Sequence, residues 1–455
     1  MKRTNVLLAV LLAWAGSSLA AQTLDARFSS SVYSWENQFI DSSTSGSFKA
    51  YQTAMFHAYG VGTPELSVHG YLRTSHDFGT ETNNNPEYRI YNLYAQWYRK
   101  TDDYRFETRV GRQAIAGAVR FVTADAVRLD YAAGDQYSVM AFFGSLPPAD
   151  GTVKTLNPFA GHALGARVQS SKYLHTHAAL SFFDKSREGQ YYVYNNAGFD
   201  SLVQRPNQEE RLLALDLDRE FFSNIYWNYR GQYDLHENRV QLISTDVKLA
   251  PGRDWYAAVQ YTYRRPNVYY SAILPTFHPD EAQANQEVWL RGYYRIDDRF
   301  SVDAEYANVF YKLKDAWRYG AGFGFWRSHV GYQRRMGYGG TMDVVTLSSY
   351  YPLRDNLNVS GSLSYARFDL ADDFTSSSII DIEDARYRLA QQALKNTNTS
   401  ISAALRMSYL FGRSFNVDVE GQYLSQDMQS SPVFAGSKYD LRFFVRANYW
   451  IFKKL

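Results

Sequence analysis

The chain has no cysteine, so disulfides, thiolate chemistry and thioether-linked haem are excluded within it. Beyond a short apolar run at its start, no stretch approaches the roughly 18 apolar residues of a membrane helix, and mean hydropathy is negative. Net charge is also nearly absent. The 48 lysines and arginines, less Lys2 and Arg3 of the expected leader, leave 46 bases against 46 acids. That balance gives no support to nucleic acid or an anionic surface as a partner. No G-x-S-x-G nucleophile motif occurs, and the sequence offers neither an enzyme's constellation nor a cofactor motif.

Aromatic residues, by contrast, are abundant: they make up 16% of the chain, 38 of them tyrosines. Tyrosine and tryptophan settle at membrane interfaces, where an apolar ring and a polar tip are both accommodated. The opening MKRTNVLLAVLLAWAGSSLAAQT carries a basic n-region at Lys2 and Arg3, an apolar h-region from Val6 to Trp14, and a small-x-small cleavage site at Ser18-Leu19-Ala20. Residues 1–20 are therefore expected to be a secretory signal and 21–455 a single mature domain. A mature chain without an apolar helix enters a membrane only as a closed barrel, because helices and barrels alone satisfy the backbone in lipid.

The side-chain pattern fits such a barrel. In SFNVDVEGQYLS, 414 to 425, Phe415, Val417, Val419 and Tyr423 alternate with Asn416, Asp418, Glu420 and Gln422. A strand turns successive side chains to opposite faces, so a period of two means one apolar and one aqueous surface. The same alternation recurs at Trp255 to Arg264, Ile225 to Asp234, Leu357 to Tyr365, Leu213 to Asp218 and Val302 to Tyr306, in stretches near the length of a tilted membrane strand. Short polar links at Gly62 to Glu65, Thr101 to Asp103, Gly134-Asp135, Ala250 to Asp254, Asp297 to Arg299, Pro352 to Asn356 and Gly412 to Ser414 alternate with longer segments at 77–87, 146–160, 185–209, 265–284, 370–396 and 428–437. Short periplasmic turns and long external loops are the signature of an outer-membrane barrel. Tyr131, Trp255, Phe300, Tyr351, Phe411 and Phe415 lie beside the short links and form the expected periplasmic girdle.

The expected fold class is all-β: a transmembrane, antiparallel, up-and-down β-barrel of about 22 strands, within a range of 18 to 22. Alternation begins within a few residues of the cleavage site, so no plug domain is expected before the barrel. At the other end, Tyr439, Leu441, Phe443, Val445, Ala447, Tyr449 and Ile451 form the apolar face of a last strand, with Arg442, Arg446 and Asn448 on the other face.

Residues 104–145 contain a strand ending Gly111-Arg112-Gln113, a short loop, then Ala126-Val127-Arg128. This segment resembles large bacterial outer-membrane porins that share a Gly-Arg-Gln strand motif, including the barrel subunits of porin-cytochrome conduits. The resemblance implies a pore, with small hydrophilic solutes or a sugar acid as cargo, or a sleeve around a multihaem cytochrome.

Charges facing lipid near the midplane cost about 2 to 4 kcal/mol, so the charged phase of each strand belongs in the lumen. Arg105, Glu107 and Arg109 lie opposite Phe106, Thr108 and Val110, and Arg128 and Asp130 lie opposite Val127, Leu129 and Tyr131. This strip acts either as an electrostatic filter or as an Arg-carboxylate ladder that solvates the wall. Further expected lumen bases are Arg230, Lys248, Arg264, Arg291, Arg295, Arg442 and Arg446. The acids are Asp216, Asp218, Asp234, Asp246, Glu287, Asp303, Glu305, Asp418 and Glu420, so strong selectivity is not expected. The segment 378–396 has a helical stripe with charges at Asp381, Glu383, Asp384, Arg386 and Arg388, and can fold inward as a constriction, lie across the mouth, or fold only locally. His175-x-His177 has no third ligand at metal spacing and is expected to be a solvated pair, so no metal site follows. The function expected is passive diffusion of small hydrophilic solutes through a bacterial outer membrane. The competing expectations are the cytochrome sleeve and an acidic-sugar channel.

Overall fold

The computed structural model describes residues 21–39, 44–78, 87–117, 119–147, 161–173, 176–187, 190–196, 199–205, 208–250, 252–265, 284–311, 315–337, 340–369, 398–427 and 437–454. The expected signal at 1–20 and the charged segment at 378–396 lie outside them. In chain order the strands are β1 (Thr23–Phe39), β2 (Thr44–Tyr59), β3 (Leu66–Asp77), β4 (Glu87–Lys100), β5 (Tyr104–Ile115), β6 (Val122–Ala133), β7 (Tyr137–Ser145) and β8 (Gly161–Tyr173). They continue as β9 (Thr176–Arg187), β10 (Gln190–Asn196), β11 (Phe199–Arg205), β12 (Gln208–Phe221), β13 (Ile225–Asp234), β14 (Arg239–Leu249), β15 (Trp255–Arg264) and β16 (Asn285–Arg295). The last are β17 (Phe300–Phe310), β18 (Ala316–Phe325), β19 (Ser328–Gly337), β20 (Thr341–Arg354), β21 (Leu357–Asp369), β22 (Asn398–Phe411), β23 (Phe415–Asp427) and β24 (Ser437–Lys454).

Sequence neighbours pair antiparallel throughout a 22-stranded sheet, which closes where β1 pairs β24 from Thr23↔Lys454 to Phe39↔Ser437. β10 and β11 form a separate hairpin within the β9–β12 connection. The barrel has the upper strand number of the expected range, and the described residues contain no helix and no plug domain. Closure leaves no unpaired edge, as a lipid surrounding requires.

The in-out alternation gives the barrel its two surfaces. On β6, Val127, Leu129 and Tyr131 are each nearly half exposed on the outside, while Arg128 and Asp130 between them are far more enclosed. On β24 the outward positions from Leu441 to Ile451 are all apolar or aromatic. At about 3.3 Å rise per residue and roughly 40° tilt, that run stands roughly 25 Å tall, the height of a lipid-facing band. Exposed Tyr131, Trp255, Phe300, Tyr351 and Phe411 ring its short-turn end. At the long-loop end the outward face turns ionic: Asp184 meets His162 at 3.5 Å and Arg211 at 2.7 Å, Arg334 meets Asp343 at 3.7 Å, and Arg367 meets Asp369 at 3.3 Å. The wall is therefore built to span a membrane.

Two local features depart from the sequence expectation. Strand β20 runs through Pro352 to Arg354, with a register shift there, so the turn is shorter than Pro352 to Asn356. The β12–β13 turn puts Phe222 and Ser223 in the left-handed region, at φ of 55° and 58°, and neither is among the residues that favour positive φ. Among the described residues, a buried apolar cluster lies on the inner wall rather than between layers. It includes Ile115, Val119, Val122, Ala124, Ala126, Met140, Phe142, Leu146, Phe183 and Leu212.

Candidate functional site

That inner cluster exists because the β5–β6 connection folds into the lumen. Of this connection, 116–117 and 119–121 are described. Val119 is 4% exposed and packs in the cluster; a fully buried aliphatic side chain contributes about 1.5 to 3 kcal/mol. The backbone is held by side chains from distant strands. Arg167 on β8 donates from Nη1 to the Gly117 carbonyl at 3.0 Å, and Arg230 on β13 donates from Nη2 to the Val119 carbonyl at 3.1 Å. Asp216 on β12 lies between these two guanidiniums, 3.0 Å from Arg167 and 3.4 Å from Arg230. Arg120 Nη2 reaches Gln241 Oε1 on β14 at 2.9 Å. The connection thus crosses the inner wall from β6 to β14, leaving Phe121 71% exposed.

The Gly-Arg-Gln segment forms the root of this loop. Gly111 has φ of 126°, and a Cβ there would stand 2.9 Å from the Tyr94 Cα on β4, so only glycine fits without strain. Arg112 forms a two-point pair with Asp125 on β6, Nε to Oδ1 at 2.7 Å and Nη2 to Oδ2 at 2.9 Å, with the arginine 6% exposed. Gln113 Nε2 donates to the Ala126 carbonyl at 3.0 Å. Asn92 Oδ1 accepts from the Ala114 amide at 3.0 Å. These contacts bind β4, β5 and β6 together at the point where the chain leaves the wall.

The charged strip lies on the inner wall beside it. Arg109 pairs with Glu107 along β5, and Arg128 pairs with Asp130 along β6, Nε to Oδ2 at 2.7 Å. Across the two strands Arg109 faces Arg128 and Glu107 faces Asp130, so like charges form rows and opposite charges form columns. Arg109 also lies 5.5 Å from the Tyr94 ring centroid. Arg105 is at the short-turn end of β5, paired in register with Ala132.

Round the wall, Arg291 lies 3.4 Å from Asp246 and Asp303 2.8 Å from His329. Glu305 accepts from Trp289 Nε1 at 3.1 Å and Gln333 Nε2 at 2.5 Å, and Arg318 is 3.8 Å away. Asp418 faces Arg406 at 3.4 Å and Arg446 at 3.8 Å, Glu420 accepts from Gln422, and Arg442 Nε donates to Asp440 Oδ2 at 2.8 Å. Arg264 is at the long-loop end of β15, in register with Leu242 and Asn285. Arg73 lies over the rings of Tyr51 and Tyr91, 5.2 Å from each centroid.

The expected inward segment with Asp381, Glu383, Asp384, Arg386 and Arg388 lies outside the described residues, as does His175. His177 is on β9, opposite Asp218 of β12. Sequence reasoning passed over Arg167, Arg120, Gln241 and Trp289. Trp289 had a legible signal, an indole on the charged phase of QEVWLRGYYR, and it lies 4.1 Å from the Arg291 guanidinium and 5.0 Å from that of Arg318. The loop had none, since AIAGAV reads as a plain apolar turn.

A family model described as LptD, LPS transport system D, matches residues 174–300. No curated protein sequence matches the chain. Among solved structures, a mutant of the ferric enterobactin receptor PfeA from Pseudomonas aeruginosa aligns with a TM-score of 0.57 at 10% identity, covering 94% of this chain and 80% of the receptor. The siderophore receptor PirA from Acinetobacter baumannii aligns at 0.55 and 10% identity, covering 93% and 80%. OccAB3 from Acinetobacter baumannii aligns at 0.42 and 7% identity, covering 94% and 99%. The likeness is one of fold. It is to large membrane-spanning barrels, and it gives no support to a cytochrome partner.

Proposed function

We propose that this barrel is an outer-membrane channel for passive diffusion of small hydrophilic solutes. The observation that carries the proposal is the contrast between the two wall surfaces, apolar outside and lined inside by paired charges and amides. Such an inner face is stable only against water or a polar occupant. A circular barrel of 22 strands spaced about 4.8 Å apart and tilted roughly 40° has a backbone diameter of roughly 40 Å. The described residues 116–117 and 119–121, folded in from one side, narrow that lumen without closing it. The sequence resemblance on Gly111, Arg112, Gln113 and Arg128 supports the same reading, as does the barrel fold shared with the receptors. No step of chemistry is required of the wall, and residues 1–20 act as the export signal.

Liposome swelling tests this. Purified, refolded protein should admit small uncharged solutes at rates that fall with solute size, and liposomes without protein should not swell. Folded barrel that leaves the liposomes impermeable to the smallest solutes would refute the open channel.

A further inference from the structure

The strands that close the barrel carry a concavity of about 390 Å³ on their inner face, lined by Tyr33 of β1, Tyr51 of β2, Glu420 and Gln422 of β23, and Arg442 and Phe444 of β24. Its volume lies in the lower part of the roughly 300 to 1,000 Å³ range of small-molecule sites. We propose that this concavity is a binding subsite for one uncharged pyranose ring.

Three aromatic side chains supply the walls. Tyr33 and Phe444 meet edge to face, centroids 6.5 Å apart at 60°, and Trp35 continues the surface 5.0 Å from Tyr33. A pyranose presents a face of C–H groups that packs on such rings, and a rim of hydroxyls that each donate and accept. The polar side chains here match that rim: the Arg442 guanidinium donates, the Glu420 carboxylate accepts, and Gln422 and the two tyrosine hydroxyls do both.

Charge selects against the alternatives. Cations around the concavity include Lys49, Arg73, Arg442, Arg446 and Arg406, the last in register opposite Glu420 and 3.4 Å from Asp418. Most are already engaged by carboxylates: Lys49 is 3.0 Å from Asp77, Arg442 pairs with Asp440, Arg446 is 3.8 Å from the Asp418 it shares with Arg406, and Glu420 faces the space itself. An organic cation seeking the rings finds guanidiniums already there, with Arg446 5.0 Å from the Phe444 centroid and Arg73 5.2 Å from that of Tyr51. A carboxylated ligand meets Glu420. A neutral polyol meets neither conflict.

The subsite rests on the proposed open lumen, but its test does not need conduction. Saturation-transfer NMR and calorimetry on the detergent-folded barrel, with methyl glucopyranoside, methyl galactopyranoside and maltose as probes, should show saturable binding with transfer to ring protons. Glucuronate should bind at least several-fold more weakly. Phe444→Ala and Tyr33→Ala should weaken binding tenfold or more, and Tyr33→Phe should retain most of it; heat-modifiable migration on gels reports folding for each variant. No saturable binding to any probe, equal binding by folded Phe444→Ala, or tighter binding of glucuronate would overturn the subsite. A barrel that conducts without binding refutes the subsite alone, and one that binds without conducting refutes the channel alone.

Discussion

At the scale of single residues, the wall is most constrained where the chain turns away from it. Gly111 combines a left-handed φ with close backbone from β4, so Gly111→Ala should cost about 1 to 3 kcal/mol. Gly134 also has a positive φ, 53°, but an added Cβ would meet nothing within 4 Å. Its alanine variant should cost about 1 kcal/mol or less. Denaturant titration of both variants in detergent checks the order, and equal losses would show that close approach plays no part. The charged strip makes a second prediction. Removing Arg109 and Arg128 together leaves Glu107 and Asp130 without their partners, so reversal potentials under a salt gradient should shift toward cation preference. Replacing Arg128 and Asp130 together by alanine removes one charge of each sign and should leave the potential nearly unchanged.

At the scale of elements, the decisive one is the loop from β5 to β6. Arg167 and Arg230 hold its carbonyls while Asp216 holds both guanidiniums. Shortening the connection at 116–121 should raise single-channel conductance by a modest fraction, because the loop takes only part of the space inside a backbone cylinder roughly 40 Å across. Unchanged conductance would mean that the narrowest point lies elsewhere. The strands themselves were legible in the sequence. A period of two in stretches such as 414–425 fixes strand, face and direction together, and polar links such as Asp297 to Arg299 mark where strands reverse. The infolded loop was not legible, because its anchors lie on β8, β13 and β14, far along the chain, and Ile115 and Val119 show their burial only once β6 to β12 curve behind them. Phe222 and Ser223 hid a turn for a related reason: tight antiparallel geometry imposes left-handed backbone on residues that do not favour it.

At the scale of the molecule, one continuous sheet separates an apolar exterior from a polar interior, and β1 with β24 completes it. The two surfaces should respond in opposite ways to the same change. Val127→Arg, facing lipid, should destabilise the barrel by about 2 to 4 kcal/mol, whereas Ser362→Arg on the lumen face should cost far less. Refolding yield into lipid vesicles across a urea series measures both, and equal costs would contradict the assignment of inside and outside. The central claim is that the lumen is an open aqueous path. Single-channel recording of the refolded protein in a planar bilayer tests it most directly. An open lumen should give stable, long-lived conductance steps with weak ion preference, since most wall charges are paired. Silence from protein shown to be folded and inserted would contradict it.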